Sequence, residues 1–297
     1  MKFKKSFGSW LFDIVNHLFI LFVAFITLYP FAYVLSLSIS DSTQVGLGNV
    51  TLMPIGFTLD AYGVVFHTND ILNAYKNTIV YSGLTTFFVL VIGSLAAYAL
   101  SRKRLHGRKF ITIIFTLTMF LSGNMITSYI LMRDLGFINK MWAIVIPPAF
   151  SLWNIIIFRT NFQSIPESLI ESAYIDGASE WRILSRIVLP LSKPILATIG
   201  LFAAVGQWNN YFGPFLYLND SVKFPLSIIL QKVVLQHDVR SQAWMDIIAN
   251  SNTLKGSGFA KKVEMATIIA AIGPIILAYP FVQKYFVKGT LVGSIKG

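Results

Sequence analysis

The sequence predicts an all-α polytopic membrane protein, with about six transmembrane helices and both termini in the cytoplasm. Three observations predict it. Hydrophobic residues make up 55% of the 297 and charged residues only 12%, whereas soluble domains carry about a quarter charged residues. Six apolar stretches approach the roughly 20 residues that cross a bilayer. The lysines and arginines also divide unevenly between the segments joining those stretches, as the positive-inside rule requires.

The stretches are 14–38, 78–100, 110–131, 142–158, 195–218 and 265–286. The fourth is the shortest, and Pro147-Pro148 leaves its start open. Pro30, Pro214, Pro274 and Pro280 fall inside spans and should kink them, for gating or for packing. The whole chain reads as one transmembrane domain, with a cytoplasmic loop over 161–194 and an outer loop over 219–264. No cleavable leader is expected, because the first apolar stretch is as long as a full span and lacks a small-residue cleavage site. With the N-terminus inside, 15 of the 24 basic residues lie in inner segments. Arg102-Lys103-Arg104 with Arg108-Lys109, in one short loop, is the strongest pin on this orientation. The net charge of +11 then reflects membrane-surface loops rather than nucleic-acid binding.

Several functions lose their chemistry. No Cys is present, which excludes disulfides, thiol catalysis and Cys-ligated metals. His17, His67, His106 and His237 form no metal-binding pattern, so no metal site is expected. There is no G-x-x-x-x-G-K-[ST] phosphate loop and no G-x-S-x-G elbow, so no catalytic residue is assigned. No acidic or basic residue sits near the middle of a span, where ion-coupled transporters place ionisable groups. Energetic work would have to come from a partner.

The segment 161–194 is the most informative. Ser164 and Glu167 have capping-box spacing, and Pro166 suits a first turn. A helix over 165–175 should bury Leu169, Ile170, Ala173 and Tyr174. Gly177 breaks it and lets the chain turn. A second short helix begins near Ser179, with Trp181, Leu184 and Val188 as its apolar stripe, and Leu189-Pro190 ends it. Two amphipathic helices joined at a glycine must bury against lipid or against another protein.

Glu171-Ser172-Ala173-x-x-Asp176-Gly177-Ala178, followed by Ile187-x-Leu189-Pro190, resembles the EAA loop of ABC importer permeases. It departs at Ser172, where alanine is usual, and at Leu184, where phenylalanine is common. Leu131 to Asn139, Ile146-Pro147, Gln207 to Phe212 with Pro214, and the terminal Gly293 to Gly297 are similar to the carbohydrate, MalG-like type. The resemblance implies a bacterial plasma-membrane complex. Its other members are a second, different permease, two ATPase subunits and an extracytoplasmic solute-binding protein. ATP and Mg would be used by the ATPase, with no cofactor bound by this chain, which is not itself an enzyme. The EAA loop would dock on that ATPase, and Gly293, Ser294, Lys296 and Gly297 would insert between its two copies. The cargo would be a sugar, an oligosaccharide rather than a monosaccharide. Gln207, Trp208, Asn209, Asn210, Tyr211 and Asn154 combine aromatic faces with amides and are the candidates for the sugar pathway. Packing between helices is the alternative for each. Asn124, Ser128 and Tyr217 are further candidates.

Overall fold

The computed structural model describes residues 7–67, 69–121, 123–235 and 256–294. Every regular element among the described residues is helical. A membrane interior selects this outcome, because a helix satisfies its own N–H and C=O groups where water cannot. Gly8–Ser38 and Asp70–Ser101 are each long and apolar enough to cross a bilayer. Among the described residues, three helix pairs interrupted by short breaks raise the number to at most five if each pair is one span. The chain divides into two compact units, Met1–Asn69 with Lys232–Gly273 and Asp70–Gln231 with Pro274–Gly297.

In the first unit, α1 (Phe7–Ser38) has 32 residues, about 48 Å at 1.5 Å per residue. That exceeds the roughly 30 Å of bilayer hydrocarbon. Its most apolar window has a mean hydropathy of 2.4 and none of it is buried within the chain, an exposure that suits lipid. The helix continues through Pro30. Residues 39–58 then fold back on its end. The Ser36 hydroxyl donates to the Leu52 carbonyl at 2.6 Å, and the Thr58 N–H donates to the Ile39 carbonyl at 2.9 Å. Asp41 opens α2 (Ser42–Gly46) by accepting the Thr43 N–H at 2.9 Å. Leu37, Val45 and Val50 form a small core with Tyr33 and Met265. The Lys262 side chain is fully buried and donates to Thr58 and to Asp60 at the start of α3 (Asp60–His67). Burial pushes the Asp60 carboxyl up, but the Lys262 hydrogen bond and charge outweigh this and hold it below its ordinary value.

The second unit begins with α4 (Asn69–Ser101), followed by α5 (Arg108–Phe120) and α6 (Met125–Asp134). After these come α7 (Trp142–Val145), a 3₁₀ turn (Pro147–Phe150) and α8 (Leu152–Gln163). Next are α9 (Glu167–Ile175), α10 (Glu180–Ile183), a π turn (Leu184–Val188) and α11 (Leu189–Leu191). The series ends with α12 (Lys193–Trp208), α13 (Phe212–Tyr217) and α14 (Leu226–Leu235). Its core joins Ala97 and Leu100 of α4 to Phe158 and Phe162 of α8, to Ile170 and Ala173 of α9, and to Ile183, Leu184, Val188 and Ile199.

Several predicted spans are broken, each for a local reason. The stretch 110–131 divides between α5 and α6, and Asn124 caps the new start by accepting the Ile126 N–H at 3.1 Å. The stretch 142–158 bends by 41° after Pro147-Pro148, where two residues without N–H groups leave only a 3₁₀ turn. Ser151 then caps α8. In 195–218, α12 stops at Trp208, so Pro214 lies in the first turn of α13, where its missing N–H is harmless. The C-terminal helix (Gly256–Ser294) passes through Pro274 and Pro280 and extends beyond the predicted span, which ended at 286, to Ser294. Elongating an existing helix adds a bond per residue without a new nucleus, which outweighs the low propensity of glycine. Lys296, Gly297 and residues 236–255 of the predicted outer loop lie outside the described residues. The segment 228–234 lies within α14.

The C-terminal helix meets α2 at a glycine pair. A Cβ on Gly258 would lie 2.0 Å from the Ser42 carbonyl oxygen and 2.7 Å from the Gly46 nitrogen, both backbone atoms that cannot rotate away. Gly258→Ala should therefore destabilise the protein by about 2 kcal/mol or more, as overpacking does. Gly273→Ala, with nothing within 4 Å of its Cβ, should be neutral or slightly stabilising. Thermal unfolding of both variants in the same detergent checks the contrast.

Candidate functional site

The turn between α9 and α10 is closed by backbone bonds. The Ala178 N–H donates to the Ala173 carbonyl at 2.9 Å, and the Gly177 N–H to the Tyr174 carbonyl at 3.0 Å. This pair of bonds is a Schellman motif, and it needs a left-handed residue. Gly177 supplies it at φ +72°, in open space. Ser179 then caps α10 by accepting the Arg182 N–H. Glu171, Ser172 and Asp176 are exposed around this turn, while Ala173 is buried. Leu189 is half-buried and Pro190 exposed.

The buried faces match the predicted ones at Ile170, Ala173, Leu184 and Val188 and differ elsewhere. Trp181 is 67% exposed and Ile183 fully buried. The π turn accounts for this: its wider, i→i+5-bonded winding rotates the flanking residues relative to an α-helix, so Ile183 joins Leu184 and Val188 in the core and Trp181 turns outward. Leu169 also faces out, leaving Ile170 and Ala173 to pack. Ser164 makes no capping box with Glu167. Helix α8 runs to Gln163, and the Ser164 hydroxyl donates to the Asn161 carbonyl at 2.7 Å to close that helix. Pro166 takes the cap position, so α9 starts at Glu167 rather than near 165.

One carboxylate ties three helices together. Glu180 accepts the Tyr98 hydroxyl of α4 at 2.5 Å and the Tyr174 hydroxyl of α9 at 2.6 Å. Arg102 lies 4.6 Å over the Tyr98 ring and Arg104 4.6 Å over the Tyr174 ring, positions suited to cation–π attraction. Burial pushes the Glu180 carboxyl up, but the Tyr174 and Tyr98 hydrogen bonds and the two arginine charges hold it below its ordinary value. Burial and the Glu180 hydrogen bond push the Tyr174 phenol up.

The polar set at the end of α12 forms a helix break. Gln207 is buried and its amide oxygen accepts from Asn210 at 3.4 Å. Asn210 accepts the Gly213 N–H at 3.1 Å, and its carbonyl accepts the Ser227 hydroxyl at 2.8 Å. Asn209 bonds back to Val205. Tyr211 is 46% exposed, with Phe212 edge-on to it. Trp208 and Asn154 are half-buried. Asn124 caps α6, and Ser128 donates to its carbonyl. The Tyr217 ring stacks on Tyr129 at 6.2 Å. Asn139, at φ +57°, joins this region together. Its N–H donates to the Tyr217 carbonyl at 2.7 Å, and its side chain accepts the N–H groups of Asn219 and Asp220.

Residues 89–292 match the family of binding-protein-dependent transport system inner membrane components. The chain belongs to this family. The polygalacturonan/rhamnogalacturonan transport system permease protein YtcP of Bacillus subtilis is 39% identical to this permease over 290 residues, 97% of this chain and 99% of that one. In the crystal structure of a bacterial ABC transporter involved in the import of the acidic polysaccharide alginate, one chain is 36% identical and superposes with a TM-score of 0.88. That match covers 96% of this permease and all of the matched chain. A chain of the alginate transporter in complex with its pentasaccharide-bound periplasmic protein shares the fold, at 18% identity and a TM-score of 0.58. It covers 94% of this permease and 93% of that chain.

Sequence reasoning missed Glu180 as the hub of the permease's connecting segment. Its only local signal is a place in the first turn of α10, and its phenol partners lie six and 82 residues away. Tyr98→Phe and Tyr174→Phe should each cost about 1 kcal/mol. The stabilisation that Glu180 contributes should be complete above its ordinary value of 4.5 and lost as pH falls through the lower folded value. Unfolding midpoints between pH 7 and pH 3 should fall in the wild type and fall less steeply in the double variant.

Proposed function

We propose that this permease is one of two different membrane subunits of an ATP-driven importer and forms half of the path for an acidic oligosaccharide. The α9–Gly177–α10 turn carries the proposal. Ile175 is 86% exposed and Trp181 67% exposed, on either side of a rigid glycine turn edged by Glu171 and Asp176. Apolar side chains held outward on an ordered turn are how a protein presents a docking surface. The occupant in this reading is the ATPase subunit, which binds ATP and Mg. Glu171, Ser172, Ala173, Asp176, Gly177, Ala178, Leu189 and Pro190 shape the docking segment. Gly293, Ser294, Lys296 and Gly297 reach the same subunits from the C-terminal end. A six-span arrangement in a bacterial plasma membrane, with both termini in the cytoplasm, puts turn and tail on the ATPase side. The charge distribution supports that orientation.

A solute-binding protein delivers the sugar from outside, as the family description supports. An acidic glycan is favoured because polygalacturonan, rhamnogalacturonan and alginate are named for the relatives. Within the path, Tyr211 is the best-placed aromatic face. Gln207, Asn209 and Asn210 hold the helix break that presents it, with Trp208 and Asn154 as further lining.

Gly177→Val tests the coupling. A β-branched residue at φ +72° costs upwards of about 1 kcal/mol locally, too little to unfold the subunit but enough to re-aim the turn. The assembled complex should lose at least tenfold of its uptake while ATP hydrolysis no longer responds to loaded binding protein. Full uptake with normal stimulation rejects the docking role.

A further inference from the structure

We infer that the segment joining α4 to α5 and the start of α9 together form a binding site for a phosphate group, such as the headgroup of an anionic phospholipid. A cavity of about 330 Å³ lies there, lined by Ser101, Arg102, Lys103, Arg108, Gln163 and Glu167 among others. That volume is within the range of about 300 to 1,000 Å³ of small-ligand pockets. Three cations face one carboxylate, so the lining carries an excess positive charge.

The protein pairs these cations only in part: Arg102 lies over the Tyr98 ring and within the field of Glu180, without an ion pair of its own among the described residues. The Arg102 Nε is buried and has no hydrogen-bond partner, and a buried donor left without an acceptor calls for a ligand or solvent to supply one. Neither Arg102 nor Arg108 takes part in an ion pair among the described residues. Lys103 is paired with Glu167, but both side chains are largely exposed, at 75% and 54%. Such a pair is weak and readily exchanged. Arg108 also opens α5, whose preceding Gly107 offers no side-chain cap. The first N–H groups of that helix add a partial positive charge beside the arginine.

Depth in the membrane favours a lipid as the source. The apolar helix Asp70–Ser101 ends where the cavity begins, and α5 starts again at Arg108. Two apolar segments therefore end at the cavity wall, which sets it at the level of lipid headgroups. Basic pockets at that level recognise anionic headgroups. A phosphate there takes the Arg102 and Arg108 donors and draws Lys103 away from Glu167, linking the membrane surface to the first turn of α9. The inference needs α4 to span the bilayer and does not depend on ATPase docking.

The test uses the full-length chain assembled with its partner subunits, with phosphatidylglycerol, phosphatidylcholine and inorganic phosphate as probes and native mass spectrometry as readout. Wild-type complex should retain at least threefold more phosphatidylglycerol than an Arg102→Gln/Arg108→Gln variant, with phosphatidylcholine retained equally. Equal phosphatidylglycerol retention with inorganic phosphate bound only to wild type supports the site with a soluble source. Equal retention of both phosphate-bearing probes overturns it. Glu167→Gln supplies a sign that misfolding cannot imitate. Removing the competing carboxylate should raise retention of whichever probe binds, and unchanged or lower retention overturns the inference even if the double arginine variant fails to assemble.

Discussion

Every backbone N–H and C=O that enters the apolar phase must find its partner inside the chain, and the rest of this structure follows from that constraint. It makes every described element helical. It also governs where helices can stop. Four of the restarts carry their own polar closure: Asn124 at the start of α6, Ser151 at α8, Ser179 at α10 and Asn210 ahead of α13. Paired prolines at 147 and 148 show the same rule from the other side, because a helix without those donors tightens to a 3₁₀ turn and restarts. Polar residues that look like ligand contacts on a hydropathy plot are thus often the caps of broken helices.

The connecting segment between α8 and α12 is held by a different interaction. A single carboxylate, Glu180, accepts two phenol hydroxyls from separate helices and sits within the field of Arg102 and Arg104. Charge-assisted bonds of this kind are shorter and stronger than neutral ones. They fix α9 and α10 against the end of α4, with Ile170, Ala173, Ile183 and Leu184 packed beneath. What remains outside is the Gly177 turn with Ile175 and Trp181. A well-packed inner face and an apolar outer face are what the docking role proposed above requires.

Large apolar exposure recurs along α1, from Trp10 to Phe31. A soluble protein could not tolerate it. For a member of this inner-membrane transport family it is the expected surface, since lipid can cover the apolar side chains that the chain itself leaves exposed. The fold is shared with a chain of the alginate transporter, at a TM-score of 0.88.

The sequence by itself determined the class. Hydropathy and charge depend only on local composition, so they gave an all-helical membrane protein and the approximate places of its apolar segments. The loop motif depends on short spacings, so it gave the family, and a glycine at 177 announced a left-handed turn that is indeed closed by adjacent backbone bonds. Tertiary structure decided the rest. Whether Trp181 or Ile183 faces inward depends on a π turn whose winding no short pattern encodes. Whether Ser164 caps α9 or closes α8 depends on where α8 ends. The Glu180 hub and the unpartnered Arg102 nitrogen arise from residues brought together across long separations. Local patterns specify backbone shape over a few residues; which side chains meet is set by packing among helices distant in the chain.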